Sequence, residues 1–335
     1  MTSLIGVDYV SKILHRKQTK PPITPDAAAI RADMAFCRAN RWNVIRLPYY
    51  WEAMFDNEEN FFEEYELILQ ACKDNGIMCV PEFHHFYATS AWGPKGGGFP
   101  KEIVDQYHPA TPLNYGADPE VKWFWNDLYL NDIRGVPNIW MQVSDVIEQV
   151  IHASRSFRSV IYAFEIFNEP HLWKDEQYEL LGLMQTAIAK ELRKITWKPI
   201  MFARETTHGG YQRRPGLEYQ ILPRVCRTIY DPHLYHAERI DEQVNRWKAV
   251  LAQWRVTNRK VGIFVGEFAD QETPGHPTKA NTELFVKRWH DEAWDAAYWA
   301  YNLVSPDPEQ VLATPDNVLT VVGKWYVDAI KKYYV

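Results

Sequence analysis

Two glutamates in this chain end apolar runs that would otherwise read as buried strand. Val160–Phe167, in "VIYAFEIFNEP", is almost wholly apolar and then delivers Asn168, Glu169 and Pro170. The run from Val261, "VGIFVGEF", ends in the same way on Glu267. Other apolar runs close on Arg46 in "VIRLPYYW", on Glu82, His84 and His85 in "PEFHHF", on His233 and Tyr235 in "TIYDPHLYH", and on Trp299 in "AYWAYN". Taken singly, each has a plain reading as a salt-bridge partner, a loop histidine, a helix cap or a core tryptophan. Together they would place two carboxylates, an arginine and several histidines on one rim, a costly grouping unless it is paired and used. Two carboxylates flanked by Arg, His, Tyr, Asn and Trp suit acid–base and nucleophilic work on a glycosidic bond. One must keep its proton for the leaving oxygen, which a neighbouring anion favours. The other must stay ionised, which Arg46 and a tyrosine hydroxyl favour. Asn168 can hydrogen-bond a sugar 2-hydroxyl, and Trp299 can stack beneath a pyranose ring.

These residues need strands to carry them. Short apolar runs recur at Leu4–Tyr9, Asn43–Leu47, Ile77–Phe83, Val160–Phe167, Pro199–Ala203, Arg227–Asp231, Val261–Gly266 and Ala296–Tyr301. Most are continuous rather than alternating, as in parallel strands buried on both faces. Helical patterns lie between them at Asp26–Asn40, Phe62–Asn75, Ile139–Arg155, Glu176–Thr196, Gly216–Arg224, Asp241–Thr257 and Thr278–Asp291, with a last one at Val321–Tyr333. Thr24-Pro25 and Asn75-Gly76 supply start and stop signals. The alternation predicts an α/β fold, a single (β/α)8 barrel over residues 1–335. An open doubly wound sheet is the rival, but no G-x-G-x-x-G follows the first strand. Residues 84–138 form an extended connection after the third strand, where such units commonly use about 2–6 residues. Its "AWGPKGGGFP" lacks the phosphate-loop pattern; the segment is expected to wall the active-site cleft.

The net charge is −6, which argues against a nucleic-acid partner. No run approaches the roughly 18 apolar residues of a membrane span, so no membrane partner is expected, and the chain is expected to act as a monomer. The four cysteines are scattered and suit free core thiols rather than a disulfide scaffold. "MTSLIGVDYV" lacks the regions of a signal peptide; the expectation is secretion if the substrate is a polymer, and a cytoplasmic location otherwise. With 14 Trp and 19 Tyr, the aromatic content exceeds what a core alone requires, leaving some to line a groove for sugars.

"FNEP", "VGEF", "IRLPYYW", "PHLYH" and "YWAY", in their order along the chain, resemble glycoside hydrolase family 5 and its clan A relatives. The resemblance implies a (β/α)8 barrel and retaining hydrolysis with neither metal nor cofactor. It implies Glu169 as acid/base and Glu267 as nucleophile, with Arg46 and Tyr235 attending the nucleophile. Asn168, His84, His233 and Trp299 would complete the innermost subsite. Three features depart from the family: Glu82 stands where many relatives carry Asp, the histidine is doubled as His84-His85, and the third loop is long.

The substrate expected first is a polysaccharide or oligosaccharide cut internally, with β-1,4-glucan before β-mannan. Tyr49, Tyr50, Trp51, Trp92, Trp123, Trp125 and Trp173 are candidate sugar subsites. A loop closing one end of the cleft would instead give an exo-acting glycosidase. From other classes, a metal-dependent barrel hydrolase would use His84, His85, Glu169 and His233, and a carbohydrate-binding barrel would lack catalysis. The first would need His-x-His on strand one, which reads "GVDY"; the second would need a lost carboxylate.

Overall fold

The computed structural model describes residues 3–11, 13–14, 24–84, 99–100, 103, 106–107, 119–203, 206–207, 225–257, 261–270, 277–300 and 311–334. Eight strands form the barrel: β1 (Ile5–Asp8), β2 (Val44–Tyr49), β3 (Met78–Phe83), β4 (Phe164–Glu165), β5 (Ile200–Ala203), β6 (Thr228–Asp231), β7 (Gly262–Phe268) and β8 (Asp295–Tyr298). Each pairs in parallel with the next, and β8 pairs with both β7 and β1, so the sheet closes. Around it lie α1 (Ala27–Ala39), α2 (Trp51–Asp56), α3 (Glu58–Asn75), α4 (Pro119–Tyr129), α5 (Ile139–Ala153), α6 (Glu176–Leu192), α7 (Ile240–Thr257), α8 (Lys279–Glu292) and α9 (Val321–Tyr333). This is the (β/α)8 barrel the alternation predicts. None of the described helices is long and apolar enough to cross a membrane.

Local chemistry explains most boundaries. Asp26 caps α1, its carboxylate accepting from the Ala28 and Ala29 amides. Asn57 caps α3 and starts it earlier than the expected Phe62, and Gly76 ends it in the left-handed conformation. β4 is shorter than Val160–Phe167 as a ladder, yet its backbone is paired on both sides: Tyr162 N–H donates to Cys79 O at 2.9 Å and Phe164 N–H to Pro199 O at 3.0 Å. α2 and α4 were not anticipated. The expected helix Gly216–Arg224 lies outside the described residues, as does most of the 84–118 stretch of the long connection.

Inside the barrel the side chains form layers. Val44, Val80, Ala163, Met201, Ile229, Phe264 and Ala297 make an apolar plug. Strand alternation then decides what stands above it, because residues two apart share a face. Two positions on from the plug come Arg46, Glu82, Glu165, Asp231 and Trp299, together with Gly266. Asp8 joins them from β1, two beyond Gly6, whose added Cβ would lie 1.7 Å from the Val44 carbonyl oxygen.

Outside the barrel the helices pack through aromatic residues. Trp289 of α8 is fully buried and stacks near Trp247, Trp294 and Phe285, each with ring centroids 6.1 Å away. Trp289→Ala should therefore destabilise the protein by about 3–5 kcal/mol in urea titration, far more than loss of the exposed Trp197.

Candidate active site

The layer above the plug is charged. Arg46 is fully buried and reaches five carboxylates. Its Nε and Nη2 donate to the two oxygens of Glu165 at 2.7 and 2.8 Å, a bidentate fork. Nη1 donates to Asp8 at 3.0 Å and to Glu267 at 2.7 Å, and Nη2 also donates to Asn168 Oδ1 at 2.8 Å. Glu82 and Asp231 stand 3.7 Å from the guanidinium. One cation cannot balance this many buried anions, so protons take up the difference. Burial pushes the carboxyls of Asp8 and Glu165 well above the usual range against the pull of Arg46.

Above this layer sits the candidate chemistry. Tyr235 OH donates to Glu267 Oε2, while Arg46 holds Oε1. Burial, then the charges of Glu267 and Glu169, push the Tyr235 hydroxyl well up, so it stays a donor. His233 Nδ1 lies 2.8 Å from Glu169 Oε1 and 3.6 Å from Glu267 Oε2, bridging the two glutamates. Its burial disfavours charge, but Glu267 and Asp231 outweigh that and raise its proton affinity well above the usual value. Glu169 adopts φ 36, a conformation rare for a residue with a side chain, where the chain leaves β4. Pro170 follows and cannot extend a ladder.

The remaining expected residues spread outward from this centre. His84 is buried with Nδ1 2.9 Å from Glu82 Oε1, and its ring lies 5.4 Å from that of Tyr50. Asn168 is buried on Arg46. Trp299 directly follows β8 and is half-buried. Trp51 is half-buried against Phe99 at 5.8 Å, and Trp123 is 49% exposed on α4. Trp173 is half-buried, stacked 6.0 Å from His171. Two aromatic expectations need correction. Trp125 is fully buried and stacked 5.1 Å from the same His171 ring, so it packs inside the fold rather than presenting a face to solvent. Tyr49 is buried between Phe61 and Phe83. His85 and Trp92 lie outside the described residues.

Asp8, Glu165 and Asp231 were missed as members of the site. Each is a lone carboxylate at or inside an apolar strand, in "IGVD", "YAFEIF" and "TIYD"; that oddity was the available signal. Among the described residues, Glu169, His233 and Glu267 bring ligand-type atoms within 4.8 Å of one another.

Arg46→Met should destabilise the fold by about 3–5 kcal/mol or more near neutral pH, because it strands buried carboxylates. The deficit should shrink as pH falls and they protonate. In the parent protein, the raised folded-state values of Asp8 and Glu165 mean that their protonated forms stabilise at low pH. That stability is lost as pH rises from the ordinary carboxylate range through the raised values. Urea titrations of Asp8→Asn and Glu165→Gln across pH should show a flatter decline.

A search of curated protein sequences finds no match. Among solved structures, the chain is similar to endo-glycoceramidase II from Rhodococcus sp., with TM-score 0.72 and 18% identity over 98% of this chain and 78% of that one. It is also similar to the Pseudomonas stutzeri endoglucanase Cel5A, with TM-score 0.63 and 14% identity over 99% and 92%. A Pyrococcus horikoshii endocellulase gives TM-score 0.60 and 14% identity over 99% and 93%. At these identities the likeness speaks for the barrel. The family itself is shown by a sequence model, Cellulase (glycosyl hydrolase family 5), which matches residues 17–304; the chain belongs to glycosyl hydrolase family 5.

Proposed function

We propose that this family 5 glycosidase is a retaining, endo-acting β-glycoside hydrolase, with β-1,4-glucan as its first substrate class. The observation that carries the reading is the pair Glu169 and Glu267, with ligand oxygens within 4.8 Å of each other and His233 between them. Retaining enzymes set their carboxyls about 5–5.5 Å apart, whereas inverting ones need roughly 6.5–9.5 Å to admit a water. The short spacing supports double displacement.

In this mechanism Glu267, its oxygens held by Arg46 and Tyr235, attacks the anomeric carbon. Glu169 protonates the leaving oxygen and then takes a proton from the water that releases the sugar. Asn168 accepts from Arg46 through Oδ1, which leaves its N–H₂ as the group to donate to a sugar hydroxyl. Trp299, with Tyr50, Trp51, Trp123 and Trp173, would supply apolar faces for sugar rings.

The linkage reading draws on the family model's cellulase name and on endoglucanase-like barrels. A second reading is favoured by the higher structural overlap with the endo-glycoceramidase, which points to a sugar carried on a lipid-like aglycone. Reducing-sugar release from carboxymethyl cellulose, mannan, xylan and laminarin, beside a glycosylceramide and small aryl glycosides, separates the two. Release from the soluble glucan and not from the glycosylceramide supports the first reading; the opposite pattern supports the second.

The roles within the pair predict different variants. Glu169→Ala should lose about 10²–10⁴-fold on substrates with sugar leaving groups, yet still form the glycosyl-enzyme from an activated aryl glycoside. Azide should speed its turnover and yield a β-glycosyl azide. Glu267→Ala should lose the retaining reaction on both substrate types. If Glu169→Ala is as inert as Glu267→Ala on activated substrates and azide does not rescue it, the assignment is wrong.

A further inference from the structure

Asp231 is one of the inward carboxylates that the proposed chemistry does not use, and its contacts reach both proposed catalytic glutamates. Asp231, at the end of β6, is fully buried, and its Oδ2 accepts no hydrogen bond among the described residues. Its other oxygen, Oδ1, accepts from the Gly266 amide. A Cβ at Gly266 would lie 2.1 Å from that oxygen, so glycine is what allows the carboxylate to reach the backbone there. Gly266 directly precedes Glu267, and the pairing of β7 with β8 slips register between Val265 and Phe268. The amide gripped by Asp231 thus lies in the irregular turn of strand that aims Glu267.

Asp231 also faces the bridge between the glutamates. Its Oδ2 lies 3.4 Å from His233 Nε2 and 3.7 Å from Arg46 Nη2. Groups facing His233 include Asp231 from its own segment, Glu169 from the loop after β4, Glu267 from β7, and the Tyr235 ring 6.3 Å away. Carboxylates beside both ring nitrogens favour the doubly protonated imidazole, in which Nδ1–H donates to Glu169.

We propose that Asp231 is a positioning residue that serves both proposed catalytic carboxylates: Oδ1 fixes the backbone that aims Glu267, and the negative charge on Oδ2, 3.4 Å from Nε2, holds His233 in place against Glu169. The proposal rests on the roles assigned above to Glu169 and Glu267, and goes beyond them in tying the two through one side chain.

Asp231→Asn separates the two grips. The amide oxygen still accepts from Gly266, but the charge behind His233 is gone and an N–H₂ group faces Nε2. Removing a nearby negative charge lowers the proton affinity of the His233–Glu169 pair wherever the shared proton resides. The alkaline limb of the kcat/KM profile on an aryl glycoside should therefore move to lower pH. The kcat/KM at the optimum should fall by about 10²-fold, the scale of a small misplacement of reacting groups. In ¹⁵N-histidine NMR, with the resonance assigned by its loss in His233→Gln, His233 should titrate at lower pH than in the parent protein. A residue serving packing alone would lower activity at every pH without moving the limb or the resonance.

Gly266→Ala tests the second grip. It should lower kcat by about 10²-fold in the parent background and cost little further in Asp231→Ala, where the colliding carboxylate is absent. Far-UV circular dichroism checks that each variant is folded. An unmoved His233 titration in Asp231→Asn, or an equal cost of Gly266→Ala in both backgrounds, overturns the proposal. If no tested glycoside is cleaved by the parent protein while the His233 titration still shifts in Asp231→Asn, the His233 grip stands and the glycosidase roles fall.

Discussion

Everything in the upper barrel depends on one guanidinium. Arg46 is buried with five carboxylates around it, in a place where opposite charges attract strongly and unpaired ones are costly. A lysine could not replace it, because the bidentate grip on Glu165 and the simultaneous reach to Asp8, Asn168 and Glu267 need a planar fork of several donors. The excess negative charge is absorbed locally: Asp8 and Glu165 hold their protons well above the ordinary range, and His233 becomes an imidazolium. The ion pairs of this layer converge on one cation and cannot be treated as separate salt bridges.

That arrangement sets the geometry of the chemistry above it. Glu267 is held from below by Arg46 and from the side by Tyr235, while Glu169 is held by His233 on a backbone with positive φ. The acid/base candidate is the more exposed of the two glutamates, with 26% of its side chain accessible against 5% for Glu267. That difference suits a residue that meets both a leaving group and an incoming water, opposite one that must stay fixed.

The aromatic residues divide between two tasks. The Trp247–Trp289–Trp294 group and the Trp125–His171 stack fill the space between barrel and helices. Tyr50, Trp51, Trp173 and Trp299 lie nearer the polar rim, with only Tyr50 fully withdrawn. In "KWFWND", Trp123 is exposed and Trp125 buried, although they are two residues apart. On a helix such neighbours face different directions, so composition alone could not sort platform from packing.

The sequence by itself determined the barrel's strands and most of its rim. Continuous apolar runs ending in polar residues are what a strand buried on both faces looks like, and Arg46, His84, Asn168, Glu169, His233, Tyr235, Glu267 and Trp299 were legible as run endings. What it could not show is which face of each run points into the barrel, because both faces are apolar and the period-two signal is lost. Only the closed sheet, with Val44, Val80, Ala163, Ile229 and Ala297 in one layer, decided that Arg46, Glu82, Glu165, Asp231 and Trp299 occupy the next. Asp8, Glu165 and Asp231 come from separate strands far apart in the chain. Their meeting on a single arginine follows from barrel closure, which no local pattern of residues encodes.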